Sequence, residues 1–82
     1  MEAVFIVRVP RSSWVHLTQD PRPGVERSTL CGLRASDEAP RQWFALAGCT
    51  DCARIALRHR VDHVADIDGS EVPLVEVLDG PR

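Results

Sequence analysis

Two cysteines stand three positions apart in the stretch GCTDCARIAL, and a third lies upstream in TLCG. A pair at this spacing either performs disulfide redox chemistry or supplies two ligands to a metal ion. Redox pairs of the thioredoxin type normally follow the first strand of a βαβ unit, whereas Cys49 and Cys52 come late in the chain. This position favours a metal site, with Cys31 as a third ligand, over redox chemistry or a role as small buried side chains.

The fourth ligand is predicted from the register of a β-hairpin. Two strand-like segments flank a turn-rich loop that is centred on Pro23 and Gly24. A turn at that centre places His16 directly opposite Cys31, and opposed side chains of an antiparallel pair have Cβ atoms about 4.5–5.5 Å apart. Three cysteines and one histidine form a common structural zinc site with a closed coordination shell. The predicted zinc ligands are therefore His16, Cys31, Cys49 and Cys52.

Two other interpretations of these residues are weaker. A site made of the two late cysteines with His59 and His63 would have to span about 10 Å of helix rise between Cys52 and His59. Zinc deaminases carry a His-x-Glu motif before their cysteine pair, but Thr18 stands where the glutamate is needed. Cys31 would also occupy the position that a catalytic water needs. The pattern therefore predicts a structural zinc ion and no enzyme.

The segments around these residues predict an α+β fold. Apolar residues spaced three and four apart predict one helix over residues 51–65, and the polar segment 32–42 is expected to be a loop. The expected architecture is a single zinc-stabilised domain, 1–82. Its hairpin, CxxC knuckle and helix form a zinc module at about 14–65, extended by N- and C-terminal strands. Runs of β-branched and aromatic residues predict strands at 3–9, 14–18, 26–31, 43–48 and 72–78, with Pro73 suggesting an edge position for the last.

The composition is that of a small intracellular domain. The chain has 82 residues and a net charge of −2, and all ten of its basic residues are arginines. So small a core is marginal and often depends on a metal, disulfides or a partner. Three cysteines cannot all pair, and no run approaches the ~20 apolar residues of a membrane helix. We therefore expect a cytoplasmic protein, and the arginine bias indicates a GC-rich genome such as that of an actinobacterium or its phage.

The order of the motifs resembles that of small His-Cys-Cys-Cys zinc-finger proteins of actinobacteria and their phages, which are zinc-ribbon or treble-clef-like. In that group a His-Leu strand, a TLCG strand, a Trp-containing segment and a CxxC before a helix recur in this order. Here they stand between residues 14 and 58, about half of the chain. The resemblance implies zinc at the four predicted ligands and little about activity. The strands at 3–9 and 72–78 lie outside it.

Several further side chains are candidates for contacts or for the core. Arg54 and Arg58 lie four positions apart on the polar face of the helix, with Arg60 nearby. They form either a solvated face or a contact for a partner or nucleic acid. Aromatic residues beside a zinc site usually cover it, so we expect Trp43 and Phe44 in the core and Trp14 over the metal.

The function predicted first is a non-enzymatic zinc module that binds a macromolecule, preferentially a protein, as a small regulator or assembly subunit. Because the terminal strands carry more apolar surface than one helix can cover, we expect a protein partner or self-association, such as a dimer, through a terminal strand. A DNA-binding transcriptional regulator is the second alternative, since charge distribution matters more than net charge. A thiol redox switch, in which oxidation ejects the zinc, is the third.

Overall fold

In the part of the chain that the structure describes, short strands combine with two α-helices, which confirms the predicted α+β class. The computed structural model of the protein describes residues 3–10, 12–22, 25–38, 42–66 and 68–78. Within these ranges no helix is long and apolar enough to cross a membrane. In chain order the elements are β1 (Phe5–Arg8), β2 (Trp14–Thr18), β3 (Arg27–Ser28), β4 (Arg34–Ala35), β5 (Asp37–Glu38), a 3₁₀ turn (Trp43–Ala45), β6 (Ala47–Gly48), α1 (Thr50–Arg58), β7 (His63–Ala65), β8 (Glu71–Pro73) and α2 (Leu74–Leu78).

The N-terminal strand β1 is the central strand of the main sheet. The strand order is β6-β2-β1-β7-β8, and β5 pairs with β1 next to β7. β1 runs antiparallel to β2, with Ile6 opposite Leu17 and Val7 opposite His16, and parallel to β7. β3 and β4 form a separate two-stranded sheet. The two terminal strands therefore do not pair with each other, because β7 lies between them.

One apolar core joins the sheet to both helices. Each fully buried Val or Leu side chain in such a core contributes about 1.5–3 kcal/mol to stability. Cys49 and Cys52 belong to the same buried cluster, so the core and the cysteine pair are continuous. Its other buried members are Val4, Ile6, Val15, Leu17, Trp43, Ala53, Ala56, Val64, Val72, Leu74 and Val77.

The helix α1 ends at Arg58, well before the predicted residue 65. The backbone N–H of Val61 donates to the carbonyl of Ala56, and that of Arg60 donates to Leu57, each at 3.0 Å. Arg60 has φ 60°, in the left-handed region. These features form a Schellman motif, which ends a helix and usually has glycine at the left-handed position. Because arginine stands there, the sequence contains no stop signal, and residues 63–65 form β7 instead.

The C-terminal segment 72–78 changes from strand to helix after Pro73, so the prediction of a strand through residue 78 was wrong. β8 is an edge strand paired with β7, as its proline suggested. Beyond it, Leu74 and Val77 are buried one helical turn apart on α2. α2 packs so closely on β6 that a Cβ at Gly48 would overlap the backbone carbonyl oxygen of Val77.

Two further segments differ from expectation. The predicted loop 32–42 contains β4 and β5, and its residues 39–41 lie outside the described residues. The predicted strand 43–48 begins as a 3₁₀ turn, and only β6 pairs with β2, in parallel. Strands of two residues are too short to show an alternating pattern, so the sequence could not reveal them.

Candidate metal centre

Four side chains from separate parts of the chain converge on one point. The ligand atoms of His16, Cys31, Cys49 and Cys52 all lie within 4.8 Å of one another. The Nδ1 atom of His16 is 3.6 Å from Sγ of Cys31 and 3.8 Å from Sγ of Cys52. In a tetrahedral site with Zn–S of ~2.3 Å and Zn–N of ~2.1 Å, neighbouring ligand atoms lie ~3.6–3.8 Å apart. The four residues chosen from the sequence therefore lie close enough to bind one metal ion.

One edge of β2 pairs with two different segments in succession, and each of these segments places a cysteine near His16. The backbone N–H of Cys49 donates to the carbonyl of Val15, and that of Leu30 donates to the carbonyl of Leu17, each at 2.8 Å. His16 lies between these two carbonyls. One cysteine-bearing segment is therefore fixed on each side of the histidine by a backbone hydrogen bond.

The predicted hairpin register is present, but only over a short stretch. Thr18 and Thr29 form an isolated antiparallel bridge in that register, and the Leu30–Leu17 hydrogen bond continues it. The predicted turn centre at residues 23–24 lies outside the described residues. β2 forms its long ladder with β1, while β3 pairs with β4. The prediction that the two segments form one complete hairpin was therefore wrong, although it placed the right side chains together.

Cys31 lies at the tip of the β3–β4 hairpin in a tight loop. The backbone N–H of Thr29 donates to the carbonyl of Leu33 at 2.8 Å, which closes the loop. Gly32 has φ 92°, a conformation that glycine adopts without strain. The Thr29 hydroxyl accepts the N–H of Leu33 at 2.9 Å and lies 3.1 Å from Sγ of Cys31. The residues of TLCG thus hold the sulfur in a fixed direction.

The orientation of His16 is set by a contact that the sequence did not reveal. Its Nε2 atom lies 3.1 Å from the Ser12 hydroxyl, and Nδ1 faces the sulfur atoms. Histidine ligands commonly use their second ring nitrogen in this way to fix the ring. Burial lowers the pKa of His16, which favours the neutral imidazole that a metal requires. No pattern in the sequence marks Ser12 for this role.

The cysteine pair opens α1. Cys49 is the N-cap residue, and Cys52 lies in the first turn, where the helix dipole favours negative charge. Burial nevertheless raises the pKa of the Cys52 thiol to about 12. Burial also acts to raise the pKa of Cys31, but hydrogen bonds with Thr29, the other cysteines and the Leu33 N–H outweigh it, so its pKa is lowered. Without a cation, the buried Cys52 sulfur is thus a thiol at neutral pH.

The rejected histidines lie away from this centre. Neither His59 nor His63 belongs to the cluster. His59 is the C-cap residue of α1, and His63 is exposed with Nδ1 3.0 Å from Oδ1 of Asp62. The neighbouring carboxylate raises the pKa of His63 through this hydrogen bond.

The three aromatic residues near the candidate centre differ in burial. Trp43 is buried, as predicted, and its ring contacts Phe44 edge to face at a centroid distance of 6.1 Å. Phe44 is 54% exposed and Trp14 is 51% exposed. The prediction of Phe44 as core was wrong, and Trp14 is not a buried cover for the metal centre.

The three candidate contact arginines are all exposed. Arg54 lies 3.8 Å from Asp51 on the surface of α1, Arg58 ends the helix and Arg60 follows it in the Schellman motif. Arg54 and Arg58 line a small cleft together with Cys31. Arg54 and Arg58 therefore lie beside the candidate metal centre and not on a face remote from it.

No family model matches the chain, and no curated protein or solved structure is significantly similar to it. The resemblance to small actinobacterial and phage zinc fingers therefore stays a prediction. What the geometry itself supports is a clustered His-Cys-Cys-Cys set that is able to hold one metal ion.

Proposed function

We propose that the protein is a non-enzymatic module, stabilised by one structural zinc ion, that binds another protein. The observation that carries this proposal is the convergence of four donor atoms within 4.8 Å of one another. Three of these residues, His16, Cys49 and Cys52, are almost fully buried. Buried cysteines alone are common, but a buried imidazole that faces sulfur atoms is explained if a metal ion unites the four side chains.

The donor set favours zinc over the common alternatives. Three sulfur atoms and one imidazole nitrogen are soft or borderline ligands, whereas calcium and magnesium take oxygen. The distances from His16 Nδ1 to Sγ of Cys31 and Cys52, 3.6 and 3.8 Å, match the edges of a zinc tetrahedron. Zinc also has no redox chemistry of its own, which suits a site buried inside the core.

The number of ligands supports a structural role. A catalytic zinc ion keeps one position for water or substrate, and a structural one is closed by four protein ligands. All four positions are supplied here by the chain. The metal would then connect β2, the β3–β4 hairpin and α1, three segments that are well separated in the sequence.

Metal analysis and cobalt substitution test the site. Protein purified without chelator should hold one zinc per chain, and cobalt should give the visible spectrum of a tetrahedral thiolate-rich site. His16→Asn should change that spectrum, while the matched variant His63→Asn should not. A chain that purifies without zinc, an octahedral cobalt spectrum, or a spectrum that depends on His63 would each contradict the assignment.

The proposed partner surface is the aromatic end of the β2–β6 pair. Trp14 pairs with Ala47, and Phe44 lies three residues before Ala47 in the turn that leads into the parallel strand β6, so both half-exposed rings belong to this end. Aromatic residues are enriched at protein interfaces. The terminal strands fit less well: both edges of β1 are occupied, and β8 is a short edge that ends in Pro73.

Sedimentation of the zinc-loaded protein at micromolar concentration, alone and with proteins that copurify from its host, tests this surface. Trp14→Ser and Phe44→Ser should weaken the association and leave zinc content unchanged. Val75→Ser, which removes a 62% exposed side chain from α2, is the control and should have no effect. A monomer that binds no protein, or equal effects of all three substitutions, would reject the surface. In that case, titration with duplex DNA would test the second candidate function.

A further inference from the structure

A cleft of about 270 Å³ beside the metal centre leads to one of the ligands only. Cys31 lines this cleft, and no other ligand does. His16, Cys49 and Cys52 are 2%, 4% and 0% exposed, whereas Cys31 is partly exposed. A reagent in solution therefore reaches the sulfur of Cys31 more readily than any other sulfur of the site.

The opposite wall of the cleft is one face of α1. It consists of Asp51, Arg54, Ile55 and Arg58, which are spaced so that they share a helical face. Arg54 Nη1 lies 3.8 Å from Asp51 Oδ1 in an exposed, weak pair. Among the described residues, no carboxylate lies within ion-pair distance of Arg58. The cleft thus combines an accessible sulfur with two guanidinium groups and one carboxylate.

We propose that this cleft is a modification site, where Cys31 exchanges with small disulfides that carry carboxylates, such as glutathione disulfide. The Cys31 thiolate attacks one sulfur of the reagent, a new S–S bond forms, and the original S–S bond breaks. Cys31 is oxidised to a mixed disulfide, and the departing glutathione thiolate takes the electron pair as the reduced product. The guanidinium groups of Arg54 and Arg58 attract the carboxylates of the reagent and raise its local concentration.

The exchange has a consequence for the metal. A sulfur in a mixed disulfide is no longer a thiolate ligand, so the centre would keep only three ligands and release its ion more readily. This consequence rests on the proposed zinc binding. The preference for Cys31 does not, because it follows from exposure and charge alone.

The test compares two disulfides of opposite charge, glutathione disulfide and cystamine, on the full-length zinc-loaded protein. Mass mapping of digested samples at early times identifies the first cysteine modified, and a chromophoric chelator records zinc release. The double variant Arg54→Gln/Arg58→Gln should slow the glutathione reaction about 3- to 10-fold and leave the cystamine reaction equal or faster. Arg60→Gln, which removes one positive charge from a residue that does not line the cleft, is the control and should change either rate much less.

Two results would overturn the proposal: first modification at Cys49 or Cys52, or equal rates with the two disulfides in the unchanged protein. Added salt should reduce the glutathione rate, since the attraction is between charges near the surface. The test is independent of the proposed function, because it can be run on the folded protein as it purifies, with or without zinc. If zinc does not bind at all, Cys31 should still react first, and if zinc binds but Cys31 is not first, only the modification site is rejected.

Discussion

The core has a metal half, the four clustered residues of the candidate metal centre, and a C-terminal half, formed by β7, β8 and α2. Both halves contain deeply buried side chains, but the side chains differ in chemistry. His16 and Cys52 are 2% and 0% exposed, and Leu74 and Val77 are 1% and 3% exposed. Burial of the two aliphatic side chains contributes about 1.5–3 kcal/mol each and needs no partner. Burial of an imidazole removes from water a polar group that needs a partner. We therefore expect the C-terminal half of the core to be stabilised by apolar burial, and the metal half to depend on the proposed zinc ion and on pH.

The largest effect is expected when zinc or one of its proposed ligands is removed. Chelation of zinc, or Cys52→Ser, should abolish the helical circular dichroism signal, because structural zinc supplies on the order of 10 kcal/mol and a small domain has little more than that in total. Val77→Ala, in the other half, should lower the unfolding free energy by about 1–3 kcal/mol and leave zinc bound. If the chelated protein keeps a full signal and a cooperative melt, both halves are independent of the metal.

A change of pH should give the second largest difference between the metal half and the C-terminal half. Burial in the fold raises the pKa of the Cys52 thiol to about 12, and in an unfolded chain a cysteine thiol also keeps its proton at neutral pH, so in either case a proton must be lost when the metal binds. The affinity for zinc should therefore rise with pH, at least about tenfold per unit between pH 6 and 8. Burial keeps the pKa of His16 below its ordinary value, so its imidazole competes for protons only at lower pH. Calorimetric titration in buffers of different ionisation enthalpy measures the protons released, and release of none would contradict this mechanism.

The junction between the halves should be sensitive to a single methyl group. Gly48→Ala places a Cβ against the carbonyl oxygen of Val77, so α2 has to move away from β6. We expect a loss of about 2–3 kcal/mol and a lower zinc affinity, since Cys49 follows directly. Gly69→Ala is the matched control, because φ 87° strains it while nothing lies within 4 Å of its new Cβ. It should cost about 1–2 kcal/mol and leave zinc affinity unchanged. Equal zinc affinities in the two variants would show that the halves are not coupled there.

The smallest effect is expected at the end of α1. Arg60 has φ 60° without the freedom of glycine, so Arg60→Gly should raise the unfolding free energy by up to about 1 kcal/mol. Denaturant unfolding of the zinc-loaded protein measures this change. Arg58→Gly, two residues earlier at the last helical position of α1, is the opposite control and should destabilise by up to about 1 kcal/mol. A destabilised Arg60→Gly would mean that the arginine side chain contributes more than its backbone strain costs.

The same two regions show what the sequence could and could not predict. The clustering of His16, Cys31, Cys49 and Cys52 was predictable because the chemistry of such a site depends on residue type and spacing, and because the register around Thr18 and Thr29 was correct. The C-terminal unit was not, since Leu74 and Val77 fit a strand or a helix equally well until their neighbours are known. An arginine in the place of a C-terminal glycine likewise concealed the end of α1 at Arg58.

The wider arrangement also depended on contacts between distant segments. The sequence suggested that β2 pairs mainly with residues 26–31, yet its long ladder is with β1. The carbonyl of Val15, which holds Cys49, and the hydroxyl of Ser12, which orients His16, have no local signature. Such positions are determined by which backbone groups remain available once the sheet has formed.

The change of partner along the edge of β2 would give the proposed zinc ion a second role, in solubility. The hydrogen bonds of Cys49 to Val15 and of Leu30 to Leu17 attach two segments to this edge. Each of these segments carries at least one of the candidate metal ligands. Loss of zinc would uncover an apolar strand, WVHLT, beside the equally apolar β1, and bare apolar edges template intermolecular sheets. We expect thioflavin T fluorescence to rise with time in a chelated sample and to stay flat with zinc present. The zinc supply of the cell would then set how much of the chain is lost to aggregates.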